Sequence, residues 1–211
     1  MKKNVISAGI IAVIMNMGSA MASMSPELKV QGQMAVPSCQ LSLQNGGVFD
    51  FGKISNSLIS TNSATALTTK VSQVMVDCEA ETFLSFTVVD NREGTASNSS
   101  STNFGLGAVN GDGKLGYYRL TALAANVDGS SSQLYSATKG STSFPAAQGA
   151  NVDKNKIIGW ALADNIQRSG KKFSTLLSVE PFLASSKDMG GPITDNVKLD
   201  GSATLNFAYG L

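Results

Sequence analysis

Cys39 and Cys78 are the only thiols in 211 residues, and the chain contains no histidine. Without histidine there is no Ser-His-Asp relay, no Cys-His pair and no His-based metal centre. Two cysteines alone do not complete a usual zinc site, and these lie too far apart for Cys-x-x-Cys redox chemistry. Carboxylates are left. Asp90 and Glu93, in "VDNREG", could act as acid and base on a sugar, but Asp, Asn and Gly there are also what a turn closing a strand demands, and the turn is the reading preferred. "NGDGKLG" (residues 110–116) lacks the alternating acidic ligands and distal Glu of a calcium loop and reads as a hairpin turn. Trp160, inside "IIGWALA", is expected in the core rather than in a sugar site. Tyr117 and Tyr118 are adjacent in a strand, so one of them is expected to point outward. No catalytic, metal-ligating or cofactor-binding residue is assigned, and the chain is not read as an enzyme.

The thiols can pair with each other if the chain is exported, and the N-terminus says that it is. Residues 1–22 carry Lys2 and Lys3, an apolar run and the small-x-small ending Ala20-Met21-Ala22, the layout of a secretory signal peptide. The run is short of the roughly 20 residues that span a bilayer, and no later segment is apolar enough, so the mature chain has no integral membrane segment. In an oxidising compartment an even pair of cysteines is expected as a disulfide, worth on the order of 4 kcal/mol for a loop of this length. Removing residues 1–22 takes away two of sixteen basic side chains and none of the fifteen acids. The balance is then near neutral, without the clustered positive charge that nucleic acid requires. The remaining length fits one domain.

The elements that must position these residues read as short strands. From Leu28 the even positions Leu28, Val30, Gly32, Met34 and Val36 alternate with polar or small residues, a period of two. Further strands are expected at residues 46–52, 70–78, 83–91, 114–123, 156–163 and 172–184. A long final strand is expected from Val197, with Val197, Leu199, Ala203, Leu205, Phe207, Tyr209 and Leu211 on one face and a bend near Asp200-Gly201. Ser/Gly-rich stretches at 92–103, 126–133 and 137–155 read as surface loops, and residues 56–71 as a loop with at most one helical turn. The pattern specifies an all-β sandwich of seven to nine strands, with Val74, Val76, Leu84, Phe86, Val88, Trp160, Leu205 and Phe207 in its core.

"GQMAVPSCQLSLQNGGVFDFGKIS" (residues 32–55), the second cysteine in "VMVDCEAETFLSFTV" and the ending "DGSATLNFAYGL" together resemble chaperone/usher pilins. "VVDNREGT", "FGLG", "KLG" and "KLDGSATLNFAYGL" are similar to a fimbrial-like exported family of enterobacteria that includes the third product of the glutamate synthase operon. The resemblance implies an immunoglobulin-like, pilin-type sandwich lacking one strand in the isolated subunit. It implies residues 1–22 as signal peptide, 23–38 as an N-terminal extension and 39–211 as the pilin-like domain. Its implied partners are a periplasmic chaperone, an outer-membrane usher and neighbouring subunits, with passage through the periplasm to a fimbrium at the cell surface.

By the same resemblance Leu28, Val30, Gly32 and Met34 would be the inward row of a donor strand, and Leu205, Phe207, Tyr209 and Leu211 the C-terminal edge that a chaperone covers. This chain departs from that pattern: the extension is short, Pro26 within it cannot join a ladder, and Tyr209 stands third from the end. The alternating row is equally compatible with pairing inside its own sandwich, which would make the protein a self-complete, monomeric periplasmic or secreted binding protein.

Overall fold

The structure, a computed structural model, describes residues 28–34 and 36–210. The expected signal peptide, residues 23–27 of the extension, Ala35 and Leu211 lie outside the described residues. The chain divides into two units, Met1–Ala35 and Val36–Leu211. In the first, Leu28–Met34 form no regular element.

The second unit is almost entirely β. Its strands are β1 (Cys39–Leu43), β2 (Thr65–Ala66), β3 (Lys70–Asp90), β4 (Phe104–Gly105), β5 (Ala108–Val109), β6 (Gly113–Lys114), β7 (Gly116–Val127) and β8 (Ser130–Ser131). They continue with β9 (Gln133–Thr138), β10 (Ala146–Ala147), β11 (Gly149–Asn151), β12 (Lys156–Ala163), β13 (Ile166–Gln167), β14 (Ser169–Leu183) and β15 (Ala203–Tyr209). Seven of these have five residues or more; of the two- and three-residue strands, β5 and β6 form a separate hairpin sheet and the others extend the main ladder. The helical content described is two single 3-10 turns, Gln44–Gly47 and Asn56–Leu58. No helix among the described residues is long and apolar enough to cross a membrane.

One strand organises the sandwich. β3 runs for 21 residues with Val74, Val76, Cys78, Leu84, Phe86 and Val88 all buried, an unbroken period of two. Its first half lies between β14 and β1, its second between β12 and β15. The register against β14 shifts between Gly170 and Lys172, opposite residues 77–82, and such a bulge bends the ladder. The sheet thus curls on itself, with β1, β14, β7 and β11 on one side of the core and β12, β9, β10 and β15 on the other. The two sides meet through Trp160 of β12, whose ring stands edge-on to Phe173 of β14 at 5.1 Å and whose Nε1 donates to the Ser174 carbonyl at 3.1 Å.

Several expectations needed correction. Residues 48–52 are not a strand, because Asn45, Gly46 and Gly47 take positive φ and turn the chain off the ladder. The last strand begins at Ala203 rather than Val197. Gly201 lies where a Cβ would come within 2.9 Å of Tyr118 and 3.0 Å of Leu106, and Asp200 N donates to the Leu106 carbonyl instead of to a strand. Tyr117 and Tyr118 are both buried: Tyr117 stacks on Phe182 at 4.8 Å under the Arg119 guanidinium, and Tyr118 packs on Phe104. The stretch 137–155 supplies β10 and β11 and buries Phe144 and Val152, so it is more than a surface loop. Leu205 and Phe207 are only half-buried.

Cys39 and Cys78 form a disulfide. They are directly cross-strand in the β1/β3 ladder, so the covalent bond fixes the register in which β1 leaves β3. With a sequence separation of 39, replacing both cysteines by serine is expected to lower stability by about 4 kcal/mol in urea titrations. A loss under about 1 kcal/mol would mean that the denatured chain is not constrained by the bond.

The Tyr135 side chain is buried against Ala137, Phe144 and Ala161. Burial pushes the phenol up to about 12, with the Ser85 hydroxyl opposing. A pKa raised in the folded state means stability intact below the unfolded value near 10 and lost as pH rises toward 12. Tyr135→Phe should flatten that alkaline decline in thermal melts; an unchanged decline would assign it to other groups.

Candidate functional site

Along one flank of the core two strands have a single neighbour each. β15 pairs with β3 alone and β1 pairs with β3 alone, both on the side of β3 away from β14 and β12. Their inward rows are correspondingly uncovered. On β1, Cys39 and Leu43 are half-buried and Leu41 is 46% exposed; on β15, Ala203, Leu205 and Phe207 are half-buried and Tyr209 is 47% exposed. Alternate residues of each strand face inward as a core strand's do, but the space beside them holds no neighbouring strand.

Between the two edges lies an apolar cleft of about 380 Å³. Leu43, Phe49 and Phe51 line it on the β1 side and Leu199, Ala203 and Leu205 on the β15 side; Val74, Leu120 and Leu177 form its floor. Phe49 and Phe51 line it from the segment that follows the Asn45-Gly46-Gly47 turn, outside any strand. Lys70 Nζ lies 5.3 Å from the Phe51 ring and also donates to the Asp50 carbonyl, which fastens this segment to β3.

The opposite wall is held by polar contacts. Arg92 grips the Asp200 carboxylate through Nε at 2.7 Å and Nη2 at 2.9 Å. This bidentate pair raises the guanidinium and holds the Asp200 carboxyl below its usual range. Asn91 N donates to the Ser202 carbonyl, and its side chain donates to Ser202 and Thr204. At the far end Gly210 N donates to the Phe83 carbonyl, Ser85 Oγ to the Gly210 carbonyl and Tyr209 Oη to the Pro37 carbonyl.

These bonds fix which backbone groups of β15 are free. Antiparallel ladders exchange bonds at alternate residues. With Gly210 N on Phe83 O and Asn91 N on Ser202 O, the even-numbered residues of β15 bond to β3, and Ala203, Leu205, Phe207 and Tyr209 present N–H and C=O to the open edge.

The other candidates of the sequence lie apart from this cleft. Asp90 is buried, and its oxygens accept from the backbone N–H groups of Arg92 and Gly105, while Glu93 pairs with Lys154 at 2.8 Å. Asn110 and Gly111, at positive φ, turn the β5/β6 hairpin, and Asn110 Nδ2 donates to the Met189 carbonyl. Trp160 is in the core. Leu28, Val30 and Met34 are exposed at 90%, 92% and 101% of their surface, and nothing lies within 4 Å of where a Cβ on Gly32 would stand.

Periodicity does not reveal Phe49 and Phe51 as cleft residues, because they lie outside any strand; the sequence signal for them is the Asn45-Gly46-Gly47 turn just before. No curated protein matches the chain. Over residues 28–114 it is similar to a family described as a protein of unknown function, DUF1120. The matched stretch begins at the first residue of the alternating row and includes both cysteines and all of β3.

Proposed function

We propose that the protein is a fimbrial or fimbrial-like exported subunit, assembled by β-strand donation with the help of a periplasmic chaperone and an outer-membrane usher. One observation carries the reading: the inward rows of β1 and β15 are half exposed and flank an apolar cleft, which is the surface a sandwich presents where a strand is missing. The alternating row Leu28, Val30, Gly32, Met34 is a strand's worth of apolar side chains left in solvent. Each large one gains roughly 1.5 to 3 kcal/mol on full burial, and β-augmentation along the free edge of β15 would add backbone hydrogen bonds. In transit the same edge needs a cover, since an unpaired edge invites aggregation; a chaperone strand along Leu205, Phe207 and Tyr209 meets that need.

The test is co-expression with a cognate periplasmic chaperone followed by gel filtration. The full chain should exchange from the chaperone complex into subunit-to-subunit complexes. Deletion of Ser23–Met34 should leave the chaperone-bound fold intact and abolish those complexes, and Gly32→Leu should weaken them where the groove admits no side chain. A full chain that stays monomeric without chaperone and unfolds on deletion would instead make it a self-complete binding protein.

Leu43→Ala, at the half-buried cleft, should cost the isolated chain clearly less than Phe86→Ala in the closed core, where about 3–5 kcal/mol is expected. Urea titrations of both variants measure the difference, and equal costs would mean that the cleft is already filled.

A further inference from the structure

The sheet order begins with β10 and ends with β11, and in the chain Gln148 alone separates these two strands. β10 pairs with β9 and β11 with β7, so residues 146–151 join one end of the curled sheet to the other. No ladder among the described residues joins β9 to β11. The β9/β10 register sets Ala146 opposite Tyr135 and Ala147 opposite Leu134. Its next pair would be Pro145 with Ser136, and proline has no N–H to give, so the ladder stops there. A cavity of about 360 Å³ opens at this seam, apart from the cleft between β1 and β15.

The cavity has an apolar floor and a charged mouth. Leu134 and Ala150 are buried at its base, while the partly exposed Asp153 and the exposed Lys156 stand at its rim. Backbone groups line it as well. Val152 N donates to the Leu120 carbonyl, so the even-numbered residues here bond to β7, and Gly149 and Asn151 turn N–H and C=O away from it.

Asp153 and Lys156 close one turn, Lys156 N donating to the Asp153 carbonyl at 3.0 Å, yet no ion pair among the described residues joins their side chains. The carboxylate is held instead by Ser101 Oγ, 2.7 Å from Oδ2, and by Asn155 N, 2.8 Å from Oδ1. Each oxygen keeps a further lone pair. Lys154 nearby is neutralised by Glu93 at 2.8 Å, whereas Lys156 has no such partner among the described residues.

Two opposite charges at the mouth of one cavity, neither neutralising the other, match a ligand that carries both. We propose that this seam binds a small zwitterion, a free amino acid. Its carboxylate meets Lys156 Nζ and the N–H groups of Gly149 and Asn151, its ammonium meets the Asp153 carboxylate, and its carbon skeleton lies over Leu134 and Ala150. The volume falls at the lower end of small-molecule sites, roughly 300–1,000 Å³.

The probes are L-alanine and γ-aminobutyrate, which hold the two charges at short and long separation, titrated into the isotope-labelled chain and followed by the chemical shifts of its backbone amides. Ser136, Gly149 and Asn151 should shift and saturate with at least one of them, while Leu205 and Phe207 on the other flank stay unchanged. Acetate and methylammonium, each with a single charge, should bind at least about tenfold more weakly, as should the variants Asp153→Asn and Lys156→Gln, since each lacks one charge-assisted hydrogen bond. If Asp153→Asn lowers the melting temperature through its turn, Lys156→Gln, at an exposed side chain, decides alone. Acetate binding as tightly as the amino acids, glucose shifting the same amides more strongly than either, undiminished binding by Lys156→Gln, or no shift with any probe at millimolar concentration would each overturn the proposal.

Discussion

A strand buries its inner row only when neighbours lie on both sides of it, and β1 and β15 each have one. From that constraint the rest of the flank follows. Leu41 and Tyr209 stay about half exposed although their strands are otherwise patterned for a core, and the space between the edges becomes a cleft floored by Val74, Leu120 and Leu177. A sandwich of this size does not lack apolar residues to fill such a gap. It carries a set of them, Leu28, Val30 and Met34, in solvent.

The edges are fastened so that they neither collapse onto each other nor fray. The Cys39–Cys78 bond and the Ser38–Glu79 hydrogen bond hold the start of β1 to β3. The Arg92–Asp200 pair, the Asn91 contacts and the packing of Gly201 against Tyr118 hold the approach to β15. The polar bonds lie at the rim and on exposed groups, where their worth is modest. Their effect is geometric: they hold the ends of the two half-paired strands in place along β3.

The strands that span the core were legible because burial on one face imposes a period of two. Val74 to Val88 of β3 and the whole of β12 stand where alternation or an unbroken apolar run puts them. The disulfide was legible from an even pair of thiols in a chain whose first residues read as an export signal. What alternation could not show was where a strand stops being paired. Val197 to Gly201 continue the pattern of β15 without belonging to it, since Asp200 is taken by Arg92 and Gly201 by a close approach to Tyr118. Phe49 and Phe51 kept their spacing but line the cleft without joining a ladder. Both tyrosines at 117 and 118 are buried because the outer one gains a cover of its own in Phe182 and Arg119, a tertiary event that local sequence does not encode.

If the flank is a vacant strand position, the backbone N–H groups of Leu205, Phe207 and Tyr209 have no partner until a strand arrives. Amide hydrogen exchange resolved along β15, with and without a saturating peptide of residues 28–36, reads this at the atoms concerned. These odd-numbered amides should exchange quickly in the isolated subunit and become protected when the peptide is present, while the even-numbered ones, already bonded to β3, change little. Protection of the odd-numbered amides in the isolated monomer, or no response to the peptide, would contradict a missing strand on this flank.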